Sequence, residues 1–149
     1  MTYRSRPVTV TTTIPAQPEV VFAYISDTRN DPEWCSNVTD VRQVSGEGVE
    51  LGAGFEFQQT VETRGRVLDS DVEVEVVELG ERRIRWRVED RFQIRDVLLG
   101  VEPDGDGSKV IQTTTAAFKR KPGLARWLYP MLARRTFKEQ FRSLADRFS

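Results

Sequence analysis

The stretch PVTVTTTIPAQPEVVFAYISDTRNDPEW (residues 7–34) decides the fold, because it places one strand directly before two short helices. In residues 7–15, Val and Ile alternate with Thr, which is the period of a strand with one buried face. Residues 16–27 carry Pro18 near the start and apolar residues on one side, which predicts a short helix. Residues 28–34, with their Asp-Pro-Glu turn, predict a second helical turn.

Six more strands are predicted after this stretch, at residues 36–44, 55–63, 66–79, 82–90, 91–103 and 109–118. The links between them are short, so we expect an antiparallel meander. In the strand at 91–103, Phe92 and Ile94 are expected to face inward. The same phase would bring Asp96 inward, but we favour a bulge at Asp96-Val97 that turns this carboxylate outward.

A long amphipathic helix is predicted over residues 124–149, with a stripe at Phe137, Phe141, Leu144 and Phe148. Leu124, Trp127, Leu128 and Met131 are expected to begin this stripe, and Pro130 should kink or divide the helix. The sequence therefore predicts a single α+β domain over residues 1–149. In it, a seven-stranded curved antiparallel sheet wraps around the long C-terminal helix, and the two short helices close one end.

The composition excludes several kinds of active site. The 149 residues include no histidine and one cysteine, Cys35. Catalytic triads, Cys-His dyads and imidazole metal sites are therefore absent, and we expect neither a metal nor a cofactor. Cys35 should lie at the end of the second short helix, where the helix dipole disfavours a thiolate, so we expect a buried and unreactive thiol.

Cellular location and partners are also constrained. A lone cysteine makes no intrachain disulfide, and no apolar run approaches the ~18 residues of a membrane span or resembles a signal peptide, so we expect a cytoplasmic protein without stable membrane insertion. Residues 119–149 carry 9 Lys and Arg against 2 Asp and Glu. We interpret them as a basic helix against an acidic sheet and expect no nucleic-acid partner, since stacking aromatics are not interleaved with the charges. Monomer and homodimer both stay open.

A cavity is expected between the sheet and the long helix, because bulky inward residues rarely fill such a space completely. The predicted ligand-binding residues are Phe57, Gln59, Ser70, Trp86, Phe92, Gln112, Thr114, Phe118, Met131 and Phe137. Leu68, Val72 and Trp127 complete the expected lining. Four of the strand residues are polar and lie on otherwise apolar faces: Gln59, Ser70, Gln112 and Thr114. Each requires another of these residues, water or a ligand as a hydrogen-bond partner.

The chain resembles the START-like (SRPBCC) superfamily over residues 8–148, in the branch of polyketide cyclases, dehydrases and lipid transport proteins. The resemblance rests on IPAQPEVVFAYISDTRNDPEW, LGAGFEF, VEPDGDGSKV and LYPMLARRTFKEQFRSLADRF. It implies the helix-grip fold of START and Bet v 1-like proteins. The matching positions are all interpreted as structural: the Pro18-Glu19-x-Val21-Phe22 helix, the Asp31-Pro32-x-Trp34 turn and Gly52-x-Gly54. No catalytic motif can be carried over.

Three functions stay open from the sequence. The first is binding of a hydrophobic small molecule, lipid-like or aromatic and polyketide-like, in the cavity. The second is a polyketide cyclase or dehydrase that acts in the same cavity, with Asp96, Tyr24 or Tyr129 as the acid or base. The third is an interaction module that uses the basic C-terminal helix to dock on an acidic partner or a membrane face.

Overall fold

The computed structural model describes residues 3–46, 52–63 and 65–149. The strands are β1 (Tyr3–Arg4), β2 (Val8–Ile14), β3 (Val38–Ser45), β4 (Glu56–Thr63), β5 (Arg66–Glu78), β6 (Arg83–Glu89), β7 (Gln93–Asp104) and β8 (Gly107–Phe118). The helices are α1 (Pro18–Ser26), α2 (Asp31–Trp34) and α3 (Ala125–Arg147), and a 3-10 turn spans Thr28–Asn30. This order confirms the predicted α+β helix-grip fold.

One antiparallel sheet joins all the described strands, in the order β1-β8-β7-β6-β5-β4-β3, with β2 also paired to β8. The eighth strand, absent from the prediction, is the two-residue β1, which pairs with β8 beside Phe118. β2 pairs with the other part of β8, from Val8 opposite Thr114 to Ile14 opposite Ser108. Because β2 and β3 lie at opposite ends of this order, the intervening segment of short helices spans one end of the curved sheet.

Alternation fixes the inner face of the central strands as predicted. Phe57 and Gln59 on β4, Ser70 and Val72 on β5, and Ile84, Trp86 and Val88 on β6 are all buried. The register between β5 and β6 shifts between Val74 and Val76, so a bulge turns Val76 outward. Gly54, just before β4, has φ +91°, a conformation that favours glycine, and its N–H donates to the carbonyl of Val74 at 2.8 Å.

The phase of β7 differs from the prediction by one residue. Asp90 Oδ1 accepts hydrogen bonds from the backbone N–H groups of Phe92 and Gln93, at 2.7 and 3.0 Å. This turn holds Phe92, so the strand begins only at Gln93. Arg95, Val97, Leu99 and Val101 then take the inner face, while Ile94 and Asp96 take the outer face. The pairing with β6 and β8 runs through Asp96 without a shift, so the predicted bulge is absent.

The long helix α3 is continuous through Pro130, so the predicted division is wrong. Pro130 lies in the second turn, where the helix loses only one hydrogen bond to the missing N–H. Four residues spaced along the second half, Ala133, Phe137, Phe141 and Leu144, are buried against the sheet. Leu124, Trp127, Leu128 and Met131 instead face outward, with 77, 70, 45 and 62% of their surface exposed. The apolar stripe therefore begins at Ala133.

Candidate ligand-binding cavity

A cavity of about 780 Å³ lies between the inner face of the sheet, α2 and α3. This volume falls within the range of ~300–1,000 Å³ that small-molecule sites occupy. Much of its wall is apolar or aromatic, formed by Trp34, Val38, Val61, Leu68, Val72, Trp86, Val88, Phe92, Val97, Leu132, Ala133 and Phe137. Leu132 and Phe92 are also partly exposed at the surface, at 36 and 46%.

Most of the predicted lining residues meet in this cavity. The set comprises Gln59, Ser70, Trp86, Phe92, Gln112 and Phe137, with Leu68, Val72 and Tyr129 beside them. The strand residues among them follow from period-2 alternation, which the sequence displays directly. Phe92 reaches the cavity from the turn before β7 rather than from the strand itself.

Four predicted ligand-binding residues lie outside the cavity lining. Phe57 is 1% exposed and is part of the hydrophobic core. Thr114 is fully buried, and its hydroxyl accepts from Gln112 Nε2 at 3.4 Å. Phe118 packs edge-on against Tyr129, with 5.7 Å between the ring centroids. Met131, like Trp127, lies on the outward side of α3, because the predicted stripe follows the wrong face of the first two turns.

Two of the three predicted acid–base residues also lie elsewhere. Asp96 is on the outer face, where its carboxylate accepts from Arg85 Nε and Nη2 at 2.8 and 2.6 Å. The hydrogen bond from Arg85 lowers the pKa of Asp96, so this group is an ordinary exposed anion. Tyr24 packs edge-on against Phe148, and its hydroxyl donates to Glu33 at 3.3 Å. Tyr129 does line the cavity.

Polar residues that the sequence analysis did not assign to the cavity complete the lining. They are Thr28, Asp31, Cys35, Asn37, Arg66, Asp90, Gln93, Arg95, Thr136 and Gln140. Arg95 and Gln93 were missed because the predicted phase of β7 is inverted. From the sequence, Asp31 is interpreted only as the residue before Pro32 in a turn. A helix that closes one end of a sheet must direct some of its side chains inward, and the position of Asp31 on such a helix is the signal that could have identified it.

Asp31 is the most perturbed carboxyl group of the cavity. Gln59 Nε2 donates to Asp31 Oδ2 at 2.6 Å, across the gap between β4 and α2. Burial raises the pKa of Asp31 to about 8, against the opposing hydrogen bond from Gln59 and with a further rise from the charge of Asp27. Most Asp31 side chains are therefore protonated at neutral pH, so this carboxyl can donate a hydrogen bond.

Six buried side-chain polar atoms have no hydrogen-bond partner among the described residues, and all six belong to residues that line the cavity. They are Thr28 Oγ1, Trp34 Nε1, Trp86 Nε1, Gln93 Oε1, Arg95 Nε and Tyr129 OH. Three are N–H groups that can only donate, two are hydroxyls, and one is a carbonyl. Each would cost about 1–3 kcal/mol if it stayed unsatisfied, so a hydrogen bond to a polar group in the cavity would be favourable once the side chain turns to reach it.

The sequence matches the model of one protein family, described as polyketide cyclase / dehydrase and lipid transport, over residues 6–149. The chain belongs to this family. No protein with a curated description matches the sequence. The family membership confirms the resemblance inferred from the strand, turn and helix motifs.

Solved structures show the same fold as this member of the polyketide cyclase/dehydrase and lipid transport family. The protein TTHA0849 of Thermus thermophilus is 23% identical, with a TM-score of 0.81, and the match covers 96% of this chain and 97% of that one. The Zhui aromatase/cyclase of a Streptomyces species is 14% identical, with a TM-score of 0.79 and coverages of 95 and 92%. A START superfamily protein of Mycobacterium smegmatis is 15% identical, with a TM-score of 0.78 and coverages of 95 and 96%.

Within this family member, Cys35 follows the last residue of α2 and is 6% exposed. Burial, together with the charge of Asp31, raises the pKa of the Cys35 thiol well above its usual range, and Arg95 opposes this rise. The thiol is therefore protonated at neutral pH, as expected for an unreactive cysteine. Among the described residues, no group of three or more His, Cys, Asp or Glu side chains is arranged to hold a metal, and no helix is long and apolar enough to cross a bilayer.

Proposed function

We propose that this protein binds a hydrophobic small molecule that carries several oxygen acceptors, held in the cavity between the sheet and α3. The observation that carries this proposal is a cavity of about 780 Å³ with many aromatic and aliphatic side chains in its wall, whose lining residues carry six buried polar atoms without a hydrogen-bond partner among the described residues. Apolar walls favour the body of the ligand, and the donors favour oxygen atoms at its edge. A saturated acyl chain would leave those donors without partners.

The shape of the walls favours an aromatic or polyketide-like ligand over a lipid-like one. Trp34, Trp86, Phe92 and Phe137 present ring surfaces to the cavity. Flat oxygenated rings can pack against such surfaces while their oxygens receive hydrogen bonds from the indole N–H groups. Family membership and the shared fold support a cavity of this kind.

Native mass spectrometry of the protein purified from its own cells tests the proposal, with a retained oxygenated aromatic molecule as the expected result. A matched pair of probes extends the test: 2-acetylnaphthalene should bind more tightly than 2-ethylnaphthalene, which lacks the carbonyl. Trp86→Phe removes one donor, so it should reduce this preference, while Trp127→Phe on the outer side of α3 should leave it unchanged. Equal affinity for the two probes, or no binding, would contradict the proposal.

A polyketide cyclase or dehydrase activity in the same cavity is the second candidate function. It is favoured by a protonated carboxyl, Asp31, and a phenol, Tyr129, on the wall of the same cavity. Asp96 has no part in this proposal, because it pairs with Arg85 on the outer face. This function is tested by an absorbance assay that monitors the dehydration of a β-hydroxy ketone to its enone and water. A rate equal to that in buffer for substrates of several sizes would contradict it.

A third function, docking of α3 on an anionic lipid surface, has a separate observation in its favour. Leu128, Met131 and Leu132 are exposed on α3, and Leu132 also lines the cavity. Arg120 and Lys121 are exposed just before the helix. Sedimentation with phosphatidylglycerol vesicles should show binding that weakens with salt and is lost in Leu128→Glu/Met131→Glu. Equal binding to phosphatidylcholine vesicles would contradict this role.

A further inference from the structure

We propose that Asp31 and Gln59 form a subsite that donates a hydrogen bond to a neutral carbonyl oxygen of the ligand. The inference rests on the proposed function, since it requires that the cavity holds a ligand. It adds a chemical identity for one ligand group, namely a ketone, quinone or ester carbonyl, and a place for it beside α2. It also adds a dependence of binding on pH.

The geometry of the pair leaves one carboxyl oxygen available. Gln59 is 6% exposed, and its amide donates to Asp31 Oδ2 at 2.6 Å. No described residue donates a hydrogen bond to Oδ1, and no described Lys or Arg forms an ion pair with Asp31. The side-chain amide of Gln59 therefore holds one carboxyl oxygen of Asp31. The other carboxyl oxygen carries the proton and can donate a hydrogen bond to the ligand.

Burial keeps that proton in place, because it raises the pKa of Asp31 to about 8. The charged and titratable groups of the surrounding elements do not reverse this effect. Asp27 on the preceding turn raises the pKa further, but its carboxylate is held by Arg29 at 2.8 Å. Glu33 on α2 is paired with Arg147 of α3 at 2.7 Å. The other titratable or charged residues of the lining are Cys35 just after α2, Arg66 on β5, Asp90 before β7, Arg95 on β7 and Tyr129 on α3.

The ionisation state of Asp31 therefore decides what this subsite accepts. Below its pKa of about 8 the neutral carboxyl donates to a carbonyl oxygen. Above that value the carboxylate has no proton to donate, and its charge repels the oxygen lone pairs of the ligand. A single net hydrogen bond is worth about 0.5–1.5 kcal/mol, which corresponds to an affinity change of up to about tenfold.

Fluorescence titration with 6-acetyl-2-dimethylaminonaphthalene tests the subsite, because hydrogen bonding to the acetyl group shifts the emission of this probe to longer wavelength. The wild-type Kd should rise up to about tenfold between pH 6.5 and pH 9.5, and the emission of the bound probe should move to shorter wavelength. Asp31→Asn keeps an N–H donor, so its Kd should not vary with pH. Asp31→Ala should bind up to about tenfold more weakly at pH 6.5.

Two controls separate the subsite from the cavity as a whole. Asp71→Asn, at an exposed position on β5, should retain the wild-type pH dependence. The probe 2-dimethylaminonaphthalene, without the acetyl group, should bind with a Kd that does not change with pH. If the acetyl probe binds equally at all pH values, or if Asp31→Asn keeps the wild-type slope, the subsite is refuted while the proposed function stands. Failure of both probes to bind would overturn the two together.

Discussion

The side-chain amide of Gln59 donates to Asp31 across 2.6 Å and thereby joins the centre of β4 to the first residue of α2. This bond places the half-buried carboxyl group of Asp31 at the wall of the cavity, where burial disfavours its charge. Burial keeps Asp31 protonated, so that it can donate a hydrogen bond to a ligand. For the same reason, ionisation of Asp31 lowers the free energy of unfolding. The two consequences can be measured separately.

Asp31→Asn should increase the free energy of unfolding at high pH. The pKa of Asp31 is about 8 in the folded chain and about 3.8 in the unfolded one, so the folded state binds more protons between these values. Stability from this group is therefore fully present below about pH 4 and is lost as the pH rises to about 8, by several kcal/mol at most. Urea unfolding at pH 5, 7 and 9 measures the difference.

The amide that Asp31→Asn introduces cannot ionise, so the variant should lose less stability than the wild type between pH 5 and pH 9. Asp71→Asn, on the exposed face of β5, serves as the matched control and should follow the wild type. A pH dependence of Asp31→Asn that coincides with that of the wild type would show that Asp31 is already ionised at neutral pH.

Asp96→Asn should have little effect on stability and none on binding of a carbonyl probe. Asp96 and Arg85 form a close pair on the outer face, but both side chains are 47% exposed, and such pairs contribute about 0–1 kcal/mol. Thermal unfolding and the fluorescence titration measure the two effects. A loss of binding without a loss of stability would contradict this prediction and would indicate that Asp96 takes part in ligand binding.

The sequence predicted which residues of the regular strands face the cavity, but it neither identified Asp31 nor gave the correct phase of the strand around Asp96. Alternation in β4, β5 and β6 correctly placed Gln59, Ser70 and Trp86 on the inner face, because these strands are regular where those residues lie. Before β7, the Asp90 turn takes in Arg91 and Phe92, the first two residues of the predicted strand, and the phase of the strand that follows differs from the prediction by one residue. Side-chain capping of a turn depends on a local hydrogen bond, which period-2 patterning does not detect.

The prediction for the first half of α3 failed for a different reason. Leu124, Trp127, Leu128 and Met131 are as apolar as a core stripe, yet they lie on the outward side of the helix. Hydrophobic periodicity identifies an apolar side but not what covers it, so the sequence could not distinguish a core stripe from an exposed one. The second half was predictable because Phe137, Phe141 and Leu144 have the sheet as their partner.

Cys35 should react slowly with a thiol reagent in the native protein. The side chain is buried, and burial with the nearby Asp31 raises the pKa of the thiol, so little thiolate is present at neutral pH. Labelling with 5,5′-dithiobis(2-nitrobenzoate) should be complete within minutes only after unfolding in urea. Cys35→Ser should retain probe binding. Rapid labelling of the folded protein with loss of binding would instead indicate a reactive thiol.

Phe137→Ala and Met131→Ala should separate the two sides of α3. Phe137 is 7% exposed and lines the cavity. Its truncation should lower the free energy of unfolding by about 3 kcal/mol. This value is at the low end for a buried Phe, because one side of the ring already faces the open space of the cavity. Met131 is 62% exposed, and its truncation should change stability by less than about 0.5 kcal/mol. Urea unfolding compares the two variants, and the carbonyl probe should lose affinity only for Phe137→Ala. Equal effects on stability would mean that the outward side of α3 is covered in solution, as it would be if a second copy of the chain packed there.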